Sequence, residues 1–124
     1  MSEEARETLE RMRQHIEDAL EKAPPEDLGP LLGQLGRVNL ELGDQQGALI
    51  SLMAAHILLV AKGQPQGPTV EGWLYHLRKD LGEERFMDAF HKALPQAGFL
   101  LVRYLGRQEA EAAMEEFARI KGNR

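Results

Sequence analysis

Four histidines are the first residues in this sequence that could do chemistry: His15, His56, His76 and His91. His91 follows Asp88 by three positions, and Glu84 lies one helical turn before Asp88, so the three share a helix face. Acid-x-x-His pairs hold metal in di-iron bundles, but those sites need the motif twice with two further carboxylates. Neither His15 nor His76 has an acidic residue three positions earlier. The spacing therefore favours a solvated helix face, and we expect no metal site.

His56 lies in the middle of an apolar run, residues 47–63. Phosphotransfer bundles also present a histidine on a helix, but theirs is exposed and surrounded by small and basic groups. The segment around His56 is instead apolar and contains leucine and isoleucine. We expect a partly buried histidine that hydrogen-bonds to backbone.

The sequence lacks the motifs that activate a nucleophile or bind a phosphate. The only serines are Ser2 and Ser51, neither in a Gly-x-Ser-x-Gly setting, and there is no cysteine. The glycines do not form the Gly-Lys-Ser/Thr loop that cradles phosphate at a helix start. We expect no catalytic residues, no cofactor and no enzyme activity.

Charge and composition narrow the classes of partner. The net charge is -5, which argues against nucleic acid as the ligand. Residues 1–62 contain 6 Lys/Arg and 11 Asp/Glu, whereas all seven aromatic residues lie after residue 70. The start, "MSEEARETLERMRQ", lacks the basic-then-apolar layout of a signal peptide. With no cysteine, this predicts a cytoplasmic protein.

The run from Ala48 to Ala61 is too short for a membrane span. It holds about 14 residues where about 20 are needed, and a run of that length is typical of a buried core helix. We expect no membrane partner.

The elements that position these residues are all helices. Helix formers dominate and no segment alternates as a strand does, so the sequence predicts an all-α fold of about seven helices. Ser2 is placed to cap the first helix, Gly43 and Asp44 to join the second and third, and Thr69 to cap the fourth. Pro95 is expected to end a fifth helix near Ala93 and to start a sixth. The expected ranges are 3–22, 25–42, 44–62, 69–81, 83–93, 95–105 and 107–121.

One segment, "LLGQLGRVNLELGDQQGALISLMAAH", resembles a tetratricopeptide repeat over residues 29–62. Leu35-Gly36, the Leu42-Gly43-Asp44 turn and Ala48-Leu49 agree with the repeat pattern, and Ala55 is in phase. Asn39 departs from it, because the family prefers an aromatic residue there. Flanking segments match only as degenerate units.

The resemblance implies one TPR-like domain over 1–124, with an N-terminal helix (1–24), a hairpin (25–62) and degenerate C-terminal helices (69–122). The fold would be antiparallel hairpins in a right-handed superhelix or an irregular bundle. A partner protein or peptide would bind the exposed face of the second helix at Gly33, Arg37, Leu40 and Glu41.

The sequence leaves three other interpretations open. Arg37 could simply pair with Glu41 one turn on, a common surface arrangement. The chain could also be a self-associating bundle that forms a homodimer, or a bundle that binds a metal or cofactor.

Overall fold

The computed structural model describes residues 1–122, and all regular secondary structure within them is helical. No helix in this part of the chain is both long and apolar enough to cross a membrane. The expectation of an all-α fold is confirmed. The helices are α1 (Glu3–Lys22), α2 (Pro25–Leu42), α3 (Gln45–Ala61), α4 (Gly67–Leu81), α5 (Glu83–Leu105) and α6 (Arg107–Gly122).

The start of α1, the end of α2 and the start of α3 lie where local chemistry predicts. The Ser2 hydroxyl accepts a hydrogen bond from the Ala5 amide at 3.1 Å, which caps α1. Gly43 ends α2 with φ +82°, a left-handed conformation that costs glycine no steric strain. The Asp44 carboxylate then accepts a hydrogen bond from the Gly47 amide at 2.9 Å and caps α3.

A close approach of α2 and α3 builds the hairpin. Gly36 is buried, and a Cβ added to it would lie 2.5 Å from Leu52 Cγ. Ala48 and Ala55 on α3 are fully buried. Small residues therefore bring the two backbones together, as the spacing in the sequence predicts.

The prediction of seven helices is wrong, because α5 runs through Pro95 without a break. Proline in a helix interior removes one hydrogen bond and costs about 3 kcal/mol. The buried face of α5 is nevertheless continuous across that point, since Ala93, Ala97 and Leu101 are all fully buried at four-residue spacing. Packing of this face against the core outweighs the local cost, and Pro95 itself lies on the exposed side.

The prediction that Thr69 caps α4 is also wrong. The helix begins two residues earlier at Gly67, and no side chain caps it. Pro68 lies in its first turn, where an amide hydrogen has no helical partner to lose. Pro68 therefore lies inside α4, whereas the prediction placed it in the loop before the helix.

The apolar run of α3 is explained by its central position. This helix contacts α2, α4, α5 and α6, and most of its residues are buried. A helix covered on several sides is expected to be apolar all round. In a solenoid each repeat contacts only its neighbours. The observed contacts do not confirm a superhelix of tetratricopeptide repeats.

Candidate functional site

The predicted binding face of α2 meets α4. Gly33 is buried, and a Cβ added to it would lie 3.2 Å from Val70 Cγ2. Four residues on, the Arg37 guanidinium carbon lies 5.7 Å from the centre of the Trp73 ring. Residues one turn apart on α2 therefore meet residues one turn apart on α4 in the same order. The two helices run in the same direction.

Two adjoining pockets follow this parallel pair, and together we call them the α2–α4 groove. Its wider end, of about 420 Å³, is lined by Arg37, Leu40 and Glu41 from the predicted face, together with Gly43, Gln45, Trp73, His76, Leu77 and Asp80. Its narrower end, of about 160 Å³, contains Gly33 and is lined by Pro30, Gln34, Leu59, Gln66, Thr69, Val70 and Trp73. Trp73 lines both ends. All four predicted site residues therefore lie along one groove, with Gly33 in its floor.

Arg37 has two partners within the groove. Its Nε lies 3.5 Å from Glu41 Oε1, and its guanidinium lies over Trp73. The Arg37–Glu41 pair is the surface arrangement that four-residue spacing favours. Both side chains stay about half exposed or more, so the ion pair contributes little to stability. The ion pair matters for binding because Glu41 offsets the positive charge that Arg37 presents to a partner.

Trp73 and Tyr75, neighbours in the aromatic half of the chain, lie on different faces of α4. Trp73 is half-buried in the groove, whereas Tyr75 is exposed and has the Lys79 ammonium 5.6 Å from its ring centre. Trp73 therefore belongs to the same surface as Arg37. The sequence could not show this, because it does not say which face of α4 packs against α2.

His56 lies outside the groove in a small polar cluster. Its side chain is 14% exposed, with Nε2 3.7 Å from Glu71 Oε1, and its ring meets Phe117 edge-on. The same Glu71 oxygen accepts a hydrogen bond from Lys121 at 2.9 Å. His56 is partly buried, as predicted, but it faces a carboxylate. Glu71 and Lys121 were missed because they are distant in sequence from His56.

The Asp88–His91 pair lies on an exposed part of α5. Asp88 pairs with Lys92 at 3.1 Å, and His91 meets the Phe90 ring edge-on. Among residues 1–122, no three histidine or carboxylate side chains are grouped so that they could hold a metal ion.

Comparisons of the chain with protein-family models, with curated proteins and with solved structures found no match. A functional proposal for this chain therefore has to rest on the groove itself.

Proposed function

We propose that this protein is an interaction module that binds an extended segment of a partner protein in the α2–α4 groove. The observation that carries the proposal is the position of Trp73, which is half-buried where the two pockets of the groove adjoin and lines both of them. Half-buried tryptophans in concave surfaces are typical anchors of binding interfaces. The resemblance of residues 29–62 to a tetratricopeptide repeat supports the same role, since such repeats bind peptides along their first helices.

The lining of the groove suits recognition of a peptide. Leu40 and Trp73 supply apolar surface, while Arg37, Glu41, His76 and Asp80 supply polar groups around it. Binding sites combine apolar surface with placed polar groups, and this end of the groove offers both. The proposal assigns no catalytic role to these residues.

Selection of peptides from a displayed random library tests the proposal. Peptides that bind the wild-type protein should lose about ten-fold or more in affinity to the Trp73→Ala variant, because an anchor contact is removed. They should bind Tyr75→Ala as well as wild type, since Tyr75 lies on another face of α4. Equal binding to wild type and Trp73→Ala, with both proteins folded by circular dichroism, would place the binding surface elsewhere.

Arg37→Ala adds a second readout on the same peptides. Loss of its contacts at the rim of the groove should weaken binding by about ten-fold if the peptide uses the guanidinium directly. An unchanged affinity would remove Arg37 from the set of contact residues and leave Trp73 as the anchor.

Self-association is the second candidate function, and α5 favours it. Met87, Leu94 and Phe99 are exposed there, with Phe99 at 72%. The buried helix α3 is not available for this role, because four other helices surround it. Sedimentation at several concentrations should show a dimer that Phe99→Glu converts to a monomer. A wild-type protein that stays monomeric at all concentrations would exclude this candidate.

A further inference from the structure

The wider end of the α2–α4 groove has an excess of negative charge. It contains three formally charged side chains, Arg37, Glu41 and Asp80. Arg37 is paired with Glu41 at 3.5 Å. Asp80 is exposed, and no basic side chain within residues 1–122 forms an ion pair with it. The Asp80 carboxylate is therefore the charge at this end of the groove that no basic side chain of the described residues neutralises.

The helix ends beside this part of the groove offset one another. The C-terminus of α2 is followed at once by the N-terminus of α3 at Gln45, and that of α4 by the N-terminus of α5 at Glu83, so opposite dipole ends lie together. The excess charge therefore comes from side chains. The last turn of α4 has Arg78 and Lys79, but Arg78 is paired with Glu83 and Lys79 lies against Tyr75 on another face.

From this charge distribution, we propose that the α2–α4 groove binds a basic peptide segment. A lysine or arginine of the partner pairs with Asp80, which lines the same pocket as Glu41, and an adjacent apolar side chain packs on Trp73 and Leu40. The inference rests on the proposed function, and it specifies the chemistry of the partner. A segment that offers a carboxylate to Arg37 fits less well, because that carboxylate would lie close to Glu41, which pairs with the Arg37 Nε.

Two matched synthetic peptides test the charge of the partner. Both are ten residues long with capped ends and identical leucine, serine and glycine positions, and three lysines in one are replaced by three glutamates in the other. Titrated into isotope-labelled protein, the lysine peptide should shift the amide resonances of α2 and α4 around Arg37, Trp73 and Asp80. It should bind at least about ten-fold more tightly than the glutamate peptide, and added salt should weaken it.

Substitutions at Asp80 then test the contact. Asp80→Asn should weaken the lysine peptide about two- to five-fold, the range expected for an exposed ion pair. Asp80→Lys should weaken it further and improve binding of the glutamate peptide. Glu115→Gln removes one exposed carboxylate from α6 and is the matched control, which should leave both affinities unchanged.

The outcomes separate this inference from the proposed function. If the glutamate peptide binds the groove more tightly and does so through Arg37, the charge assignment is overturned and the groove remains a binding site. If Asp80→Lys leaves the affinity for the lysine peptide unchanged, the charge assignment is likewise overturned and the groove remains a binding site. If neither peptide shifts resonances in α2 and α4, the basic-segment proposal fails together with the groove.

Discussion

The side-chain amide of Gln64 donates a hydrogen bond to the backbone carbonyl of Glu26 at 2.9 Å. That carbonyl would accept a helical hydrogen bond from residue 30, but residue 30 is a proline and has no amide hydrogen. The loop after α3 therefore supplies the donor that α2 lacks. The same contact holds the loop against the start of α2, beside the narrower end of the α2–α4 groove.

This relationship predicts a coupling between Gln64 and Pro30. Gln64→Ala should lower the free energy of unfolding by about 1 kcal/mol, the usual net value of one hydrogen bond. In a Pro30→Ala background the helix regains its own donor, so the same Gln64→Ala change should cost much less. Denaturant unfolding of the four proteins gives the coupling energy. Equal costs of Gln64→Ala in both backgrounds would contradict the assignment.

The close approach of α2 and α3 predicts a large effect at Gly36. Gly36→Ala should lower the free energy of unfolding by about 1–3 kcal/mol, because the new methyl group overlaps the Leu52 side chain. Gly72→Ala is the matched control. Gly72 is also helical, but an added Cβ meets nothing within 4 Å, so alanine should stabilise α4 by up to about 1 kcal/mol. If Gly36→Ala and Gly72→Ala change the free energy of unfolding by the same amount and in the same direction, α2 and α3 do not approach as closely as the structure shows.

The continuity of α5 predicts a gain in stability at Pro95. Pro95→Ala restores a donor for the His91 carbonyl and removes the clash of the ring with the preceding turn. Because Pro95 is exposed, the gain should approach about 3 kcal/mol, and the melting temperature should rise. Pro68→Ala serves as the control and should bring no such gain, since Pro68 lies in the first turn of α4. A melting temperature unchanged by Pro95→Ala would favour two separate helices.

The Arg78–Glu83 pair predicts a pH-dependent contribution to stability. Hydrogen bonding from Arg78, at 2.6 and 2.7 Å, lowers the pKa of Glu83 below its ordinary value of 4.5. A carboxyl whose pKa is lowered on folding stabilises the native state above its unfolded pKa, and that contribution is lost as the pH falls through the folded value. Glu83→Gln should therefore be less stable than wild type at neutral pH.

The same comparison below the folded pKa of Glu83 checks the cause. There the wild-type carboxyl is protonated, and the difference in the free energy of unfolding should disappear. Glu84→Gln, which removes the neighbouring charge, controls for a general charge effect. If Glu83→Gln still has a lower free energy of unfolding than wild type in acid, the difference comes from packing. An ordinary pKa for Glu83 in an NMR titration would contradict the hydrogen bond.

The sequence by itself determined the helical class and most of the helix ends. Those ends depend on contacts only a few residues apart, such as Ser2 with Ala5 or Asp44 with Gly47, so residue type and spacing predict them. The α2–α3 hairpin follows in the same way from its small residues and the Gly43 turn. Arg37 and Glu41 were predictable as a pair because they are four residues apart on one helix.

Only the tertiary structure decided what covers each helix. Pro95 is a strong local signal for a helix end, but the buried face through Ala93 and Ala97 outweighs it, and no local pattern shows that balance. Arg37 lies beside Trp73, whereas Tyr75 lies on another face of α4. Which of these two aromatic residues meets Arg37 depends on the rotation of α4 about its own axis. Such long-range packing sums many weak contacts between distant segments, and for that reason the groove itself could not be derived from spacing along the chain.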